Sequence, residues 1–134
     1  MTGGVEQTLE LLAETANESA VPLLLHALDA SDRAIQEGAL RALLARRRGS
    51  GQREIVRRWN SLNERWKQII ARSPRHIASA VRDAILSTDE ELCINGCRTL
   101  VYIREYDLMP ALVTAAEDPS NPRSGLAAQT LLEL

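Results

Sequence analysis

The sequence predicts an all-α fold, a right-handed α-solenoid of stacked helix pairs, and three observations support this. The 134-residue chain is rich in Leu and Ala but has no Phe, two Trp and two Tyr, a composition that suits closely packed helices. Its apolar residues recur at spacings of three and four, as on one face of an α-helix. A helix–turn–helix pattern also recurs at offsets of 57 and 31 residues, which is typical of a repeat array.

Taken in order, the apolar pattern predicts about seven or eight helices. They are expected near residues 4–16, 20–29, 32–48, 53–72, 75–87, 89–105, 108–117 and 122–134. Three helix pairs, near 20–48, 75–105 and 108–134, form the repeats, and Leu24, Val81 and Leu112 occupy equivalent positions in them. The N-terminal helix resembles the second half of a repeat, because Leu9 lies 31 residues before Leu40.

The inserted segment explains why the first offset is longer than the second. The residues by which the 57-residue offset exceeds the 31-residue offset fall near 53–72, where we expect one long basic helix. Apolar residues follow one face of this helix: Ile55, Trp59, Leu62, Trp66 and Ile69. Large apolar residues at helical spacing usually pack in a core, so packing is favoured over an exposed aromatic stacking platform. Trp59 and Trp66 are still expected at the edge of a groove.

The first helix pair resembles a HEAT repeat, within the armadillo-like helical repeat families. The matching residues are Pro22 early in the first helix, Asp32 near the turn, and Ala39 and Arg41 in the second helix. The chain length fits a single domain over residues 1–134. The resemblance implies that this domain is a scaffold and not an enzyme. It also implies protein or peptide partners, since such repeats mostly bind these and in some cases bind nucleic acids.

Charge is segregated along the chain. Residues 1–45 carry a net −5, residues 46–76 a net +8, and residues 77–134 a net −5. Arg is well suited to bind carboxylate or phosphate groups. The leading hypothesis is therefore a protein-interaction scaffold whose basic face binds an acidic peptide, and the alternative is nucleic-acid binding through the Arg-rich segment 46–75. The candidate binding residues are Arg53, Arg57, Arg58, Arg65, Lys67 and Arg72.

Other residues predict no catalytic site, metal or cofactor. His26 and His76 lie in separate expected helices without Cys neighbours. Cys93 and Cys97 lie one helical turn apart, with Cys97 expected inside and Cys93 partly exposed.

The apolar runs of the sequence predict where the protein resides and what its last helix contacts. No apolar run is long enough to cross a bilayer, so we expect a cytoplasmic protein without a membrane partner. The last expected helix ends in TLLEL and lacks a polar outer layer. We therefore expect either a piece of a longer array or self-association through this C-terminal face.

Overall fold

A computed structural model describes residues 3–46 and 49–134, in which all regular structure is helical and no strand occurs. This confirms the all-α prediction. The chain divides into two compact units, Met1–Gln52 and Arg53–Leu134. The α-helices are α1 (Gly3–Glu14), α2 (Ala20–Leu28), α3 (Arg33–Ala45), α4 (Ser50–Arg57), α5 (Glu64–Ala71), α6 (Arg75–Ile85), α7 (Glu90–Ile103), α8 (Met109–Glu117) and α9 (Ser124–Glu133). Short 3-10 turns occupy Trp59–Ser61 and Tyr106–Leu108.

In the first unit, α2 and α3 pack as a helix pair and α1 packs against both. The turn between α2 and α3 ends at Asp32, whose Oδ1 accepts hydrogen bonds from the backbone N–H groups of Ala34 (2.8 Å) and Ile35 (3.3 Å). A carboxylate in this position satisfies N–H groups that have no partner within the helix. Asp32 therefore fixes where α3 begins.

Arg46 follows the end of α3 and has a structural role. Its side chain is almost completely buried. The guanidinium donates to the carbonyl oxygens of Leu12 (2.6 Å), Thr15 (3.0 Å) and Asn17 (3.3 Å) and to Glu18 Oε2 (3.1 Å). These bonds tie the connection between α1 and α2 to the C-terminal end of α3. Arg46 is therefore not available to an external ligand.

The end of α3 differs from the sequence prediction. The helix stops at Ala45, and the C-cap residue Arg46 has extended backbone angles (φ −65°, ψ 141°). The expected helix extended to residue 48. Arg47 and Arg48, which belong to the Arg-rich segment, lie outside the described residues.

In the second unit, α6 pairs with α7 and α8 pairs with α9, while α6 also contacts α8 and α7 contacts α9. Asp89 caps α7 by accepting a hydrogen bond from Leu92 N–H (3.2 Å). It stands 57 residues after Asp32 and has the same capping role. Leu24, Val81 and Leu112, the equivalent positions of the expected repeats, are each 0% exposed.

The expected single helix over residues 53–72 is wrong, because the segment is broken in the middle. The turn Trp59–Ser61 is followed by Leu62 in an extended conformation (φ −76°, ψ 141°). Asn63 then caps α5 by accepting a hydrogen bond from Trp66 N–H (2.9 Å), and Ser61 Oγ donates to Arg58 O (2.8 Å). Asn and Ser side chains compete with helical hydrogen bonds in this way.

Some apolar surface is left uncovered in the second unit. Leu132 of α9 is 88% exposed, whereas Leu126, Leu131 and Leu134 are half-buried. No helix of the described ranges is long and apolar enough to span a membrane.

Gly96 sets the distance between α6 and α7, which gives a test of the packing. A Cβ atom on Gly96 would lie 2.8 Å from Ala84 Cβ and 3.2 Å from Ile85 N. We expect Gly96→Ala to lower the free energy of unfolding by about 1 kcal/mol, because overpacking outweighs the gain in helix propensity. Urea denaturation measures this.

Gly125 is the matched control, since a Cβ atom there would meet nothing within 4 Å. Gly125→Ala is expected to keep or raise stability. If both variants were equally stable, the claim that α6 and α7 pack too closely at Gly96 for a Cβ atom would be wrong.

Candidate functional site

A chain of polar contacts joins the broken segment to α7. Asn95 of α7 is 1% exposed. Its Nδ2 donates to Arg57 O (2.8 Å), and its Oδ1 accepts from Asn60 Nδ2 (3.0 Å). Asn60 Oδ1 in turn accepts from Arg98 Nη1 (2.8 Å). We call Asn60, Asn95 and Arg98 the amide relay, in which each polar group has a partner as buried amides require.

The amide relay forms one wall of a shallow depression of about 310 Å³. Its other lining residues are Glu90, Glu91 and Ile94. Arg98 is exposed, yet its guanidinium is held in place by Asn60. A cation that is already oriented loses less conformational entropy when it binds a carboxylate. The depression therefore offers a fixed cation, two carboxylates and a half-buried Ile94.

Three of the predicted basic-face residues already contact acids of the second unit. Arg57 Nη1 lies 2.9 Å from Asp89 Oδ2, and Arg58 Nε lies 3.2 Å from Glu54 Oε1. Arg53 Nη2 is 3.9 Å from Asp83 Oδ2. Carboxylates therefore lie among the arginines and reduce the local positive potential.

The Arg57–Asp89 pair shifts both ionisations. The hydrogen bond that Arg57 donates lowers the pKa of the Asp89 carboxyl, and the same bond raises the pKa of the Arg57 guanidinium. Asp89 thus serves twice, since Oδ1 caps α7 and Oδ2 binds Arg57. The pair links α4 to the start of α7.

The remaining predicted cations differ in their surroundings. Lys67 Nζ lies 5.2 Å from the centroid of the Trp59 ring, within range of a cation–π interaction. Arg65 and Arg72 are exposed on α5 and at its C-cap. Arg65 also makes contacts within the chain. Arg65 and Arg72 thus lie at the surface, on α5 and directly after it.

The two tryptophans are not equivalent. Trp59 is 2% exposed and packs edge-on against Tyr102, with ring centroids 5.4 Å apart at 70°. Tyr102 also donates its hydroxyl to Glu64 Oε1, and this bond raises the pKa of Tyr102. Trp59 is therefore a core residue, which confirms the favoured prediction of packing and corrects its expected place at a groove edge. Trp66 is half-buried.

Both cysteines are buried, which confirms the expectation for Cys97 and corrects that for Cys93. Cys93 Sγ donates to Ile85 O (3.3 Å). The Cys97 thiol and the Arg123 guanidinium lower the pKa of Cys93 to about 7, while the interaction with Cys93 and burial raise the pKa of Cys97.

Metal ligands do not converge in the part of the chain that the structure describes. Within it, no group of three His, Cys, Asp or Glu side chains could hold a metal ion. His26 and His76 are both exposed. The amide relay was missed by sequence reasoning, because Asn60 and Asn95 are 35 residues apart and carry no recognisable spacing.

The amide relay predicts a specific stability loss. Asn95→Ala is expected to lower the free energy of unfolding by roughly 2 kcal/mol, because Arg57 O and Asn60 Nδ2 lose their buried partner. Asn60→Ala is expected to cost less, about 1 kcal/mol, because it removes one partner of Asn95 at an exposed position, where water can replace the lost amide. Urea denaturation compares the two, and equal losses would contradict the central position of Asn95.

The Asp89 carboxylate predicts a pH dependence. Its pKa is lowered in the folded state, so its contribution is complete above the unfolded carboxyl pKa of about 4 and is lost as pH falls through the lower folded pKa. We expect the stability difference between the wild type and Asp89→Asn to be largest near neutral pH and to close as the pH falls below the unfolded value and through the lowered folded pKa of Asp89. Asn still caps helices, so the variant mainly removes charge.

Chemical denaturation across this pH range measures the difference, and Arg57→Gln supplies the control background. In that background Asp89→Asn should have a smaller effect at neutral pH. A stability difference that stays constant as the pH falls from neutral through the carboxyl titration range would show that the ion pair does not stabilise the fold.

Comparisons with known proteins assign neither the fold nor the amide relay to a family. No family model, curated protein or solved structure matches the chain.

Proposed function

We propose that the chain is a non-enzymatic protein-interaction scaffold, a HEAT-like right-handed α-solenoid that binds a protein segment at the depression beside the amide relay. The observation that carries this proposal is the exposed Arg98, which is oriented by Asn60 and through it by the buried Asn95. A cytoplasmic location belongs to the same proposal.

Helix packing within each unit supports the solenoid. In the second unit the first helices of successive pairs contact each other (α6 and α8), and so do the second helices (α7 and α9). In the first unit α1 contacts α3 as the second half of a preceding repeat would. Repeats that stack in this way present extended surfaces to partners.

The chemistry of the depression indicates the kind of segment it takes. Arg98 fits an acidic side chain, and Ile94 fits an apolar one. Glu90 and Glu91, at the other side, favour a basic group or a peptide N–H. The complementary ligand is an extended or helical protein segment with an acidic and an aliphatic residue. Arg53, Arg65 and Arg72 would add longer-range attraction to an acidic partner.

Nucleic-acid binding is the second candidate, and the ion pairs weigh against it. Glu54, Asp83 and Asp89 lie within 4 Å of arginines that a phosphate backbone would need. Arg46 is buried in a structural role. Carboxylates in such positions repel phosphates, so fewer counterions would be released on binding.

A peptide display selection tests the proposal directly. Random short peptides selected on the intact chain are expected to be enriched in Asp or Glu together with Leu, Ile or Val. Fluorescence anisotropy with the best peptide should show an affinity about tenfold lower for Arg98→Gln, because a charge-assisted hydrogen bond is lost.

Arg33→Gln is the matched control, since Arg33 is an exposed arginine on α3, and it should bind like the wild type. Equal binding by Arg98→Gln would remove the depression as the site. Labelled single-stranded and duplex oligonucleotides, titrated at low and moderate salt, are expected to bind more weakly than the peptide. Tighter, salt-sensitive oligonucleotide binding would place the nucleic-acid alternative first.

A further inference from the structure

One helix–helix contact recurs in both units. In the first unit, Leu9 of α1 lies so close to α3 that a Cβ atom on Gly38 would be 2.5 Å from Leu9 Cδ1. In the second unit, α7 packs against α9, where Cys97 and Thr130 are both buried and interact. Cys97 is the repeat equivalent of Leu9, and Thr130 lies one turn beyond the equivalent of Gly38. We call the side of the earlier helix that carries Leu9 or Cys97 its forward face. The side of the later helix that carries Gly38 or Thr130 is its receiving face.

The receiving face of α1 is uncovered. Leu11 is 68% exposed, whereas its repeat equivalents Ala42, Thr99 and Thr130 are 5%, 0% and 3% exposed. Leu23 of α2 is 60% exposed and lines the same depression, of about 360 Å³, as Leu11. The repeat equivalents of Leu23 are Ala80, which is buried, and Ala111, which is half-buried. The first unit therefore presents two large apolar side chains at positions that are more covered elsewhere in the repeats.

The forward face of α9 is uncovered in the same way. Leu132 is 88% exposed, whereas its equivalent Leu44 is 4% exposed and Val101 is half-buried. Ala128 is exposed, although its equivalent Cys97 is buried against α9. The second unit therefore presents the other half of the recurring contact.

We propose that the forward face of α9 docks on the receiving face of α1 and α2 in a second copy of the chain. The second copy is the occupant because it carries the matching half of a contact that the chain already makes twice. Docking would cover Leu132 of one copy with Leu11 and Leu23 of the other. Removing these apolar side chains from water supplies the driving force.

Such a contact joins two different surfaces, so it is heterologous. Each added copy leaves one forward face and one receiving face free, and growth does not stop at a dimer unless a ring closes. We therefore expect the average mass of the protein to rise progressively with concentration.

Light scattering coupled to size-exclusion chromatography, over a concentration series of the intact chain, tests this. Leu132→Glu and Leu11→Glu should each remain monomeric, since each lacks one half of the contact. An equimolar mixture of the two variants should form a heterodimer of twice the monomer mass and grow no further, because one intact contact is restored. Leu86→Glu is the control, since Leu86 is 49% exposed on neither face, and it should associate like the wild type.

Circular dichroism of each variant establishes that the helices are retained. A wild-type chain that is monomeric up to about 1 mM would overturn the proposal. So would continued association of Leu132→Glu, or a mixture of the two variants that stays monomeric. None of these results bears on the peptide site beside Arg98, so the two proposals fail separately.

Discussion

The second unit depends on one buried carboxamide. Asn95 bonds to both the backbone of α4 and the side chain of Asn60. It therefore fixes the position of the turn that precedes α5 along the axis of α7. Burying an amide is unfavourable unless its donors and acceptor are satisfied. The same requirement that orders the segment therefore also orients Arg98 and shapes the depression beside it.

The helix pairs could be predicted because their signals are local. Asp32 and Asp89 precede apolar runs at helical spacing, and each caps the helix that follows it. The break after α4 was missed because the apolar spacing continues across it, and Ile55, Trp59 and Ile69 are buried on both sides of the break. Asn63 followed by Glu64 is the helix-start signal that could have revealed it.

The site was less predictable than the fold, since its contacts join residues far apart in sequence. A count of charges finds the arginines but not their partners: Arg57 pairs with Asp89 across 32 residues, and Tyr102 bonds to Glu64 across 38. Burial of Trp59 likewise depends on α7, which supplies Tyr102. Local composition therefore overstated the basic surface and gave no indication of the amide relay.

The way Arg46 is bound determines which substitutions the first unit can tolerate. Three of its four partners are backbone carbonyl oxygens, and every amino acid carries such an oxygen. These three bonds therefore persist when the side chains of Leu12, Thr15 or Asn17 change. The bond to Glu18, in contrast, depends on its carboxylate. Position 46 has no such freedom, because Lys lacks the planar fork that reaches several acceptors at once. Arg46 thus constrains the sequence more strongly than the three residues whose backbone it binds.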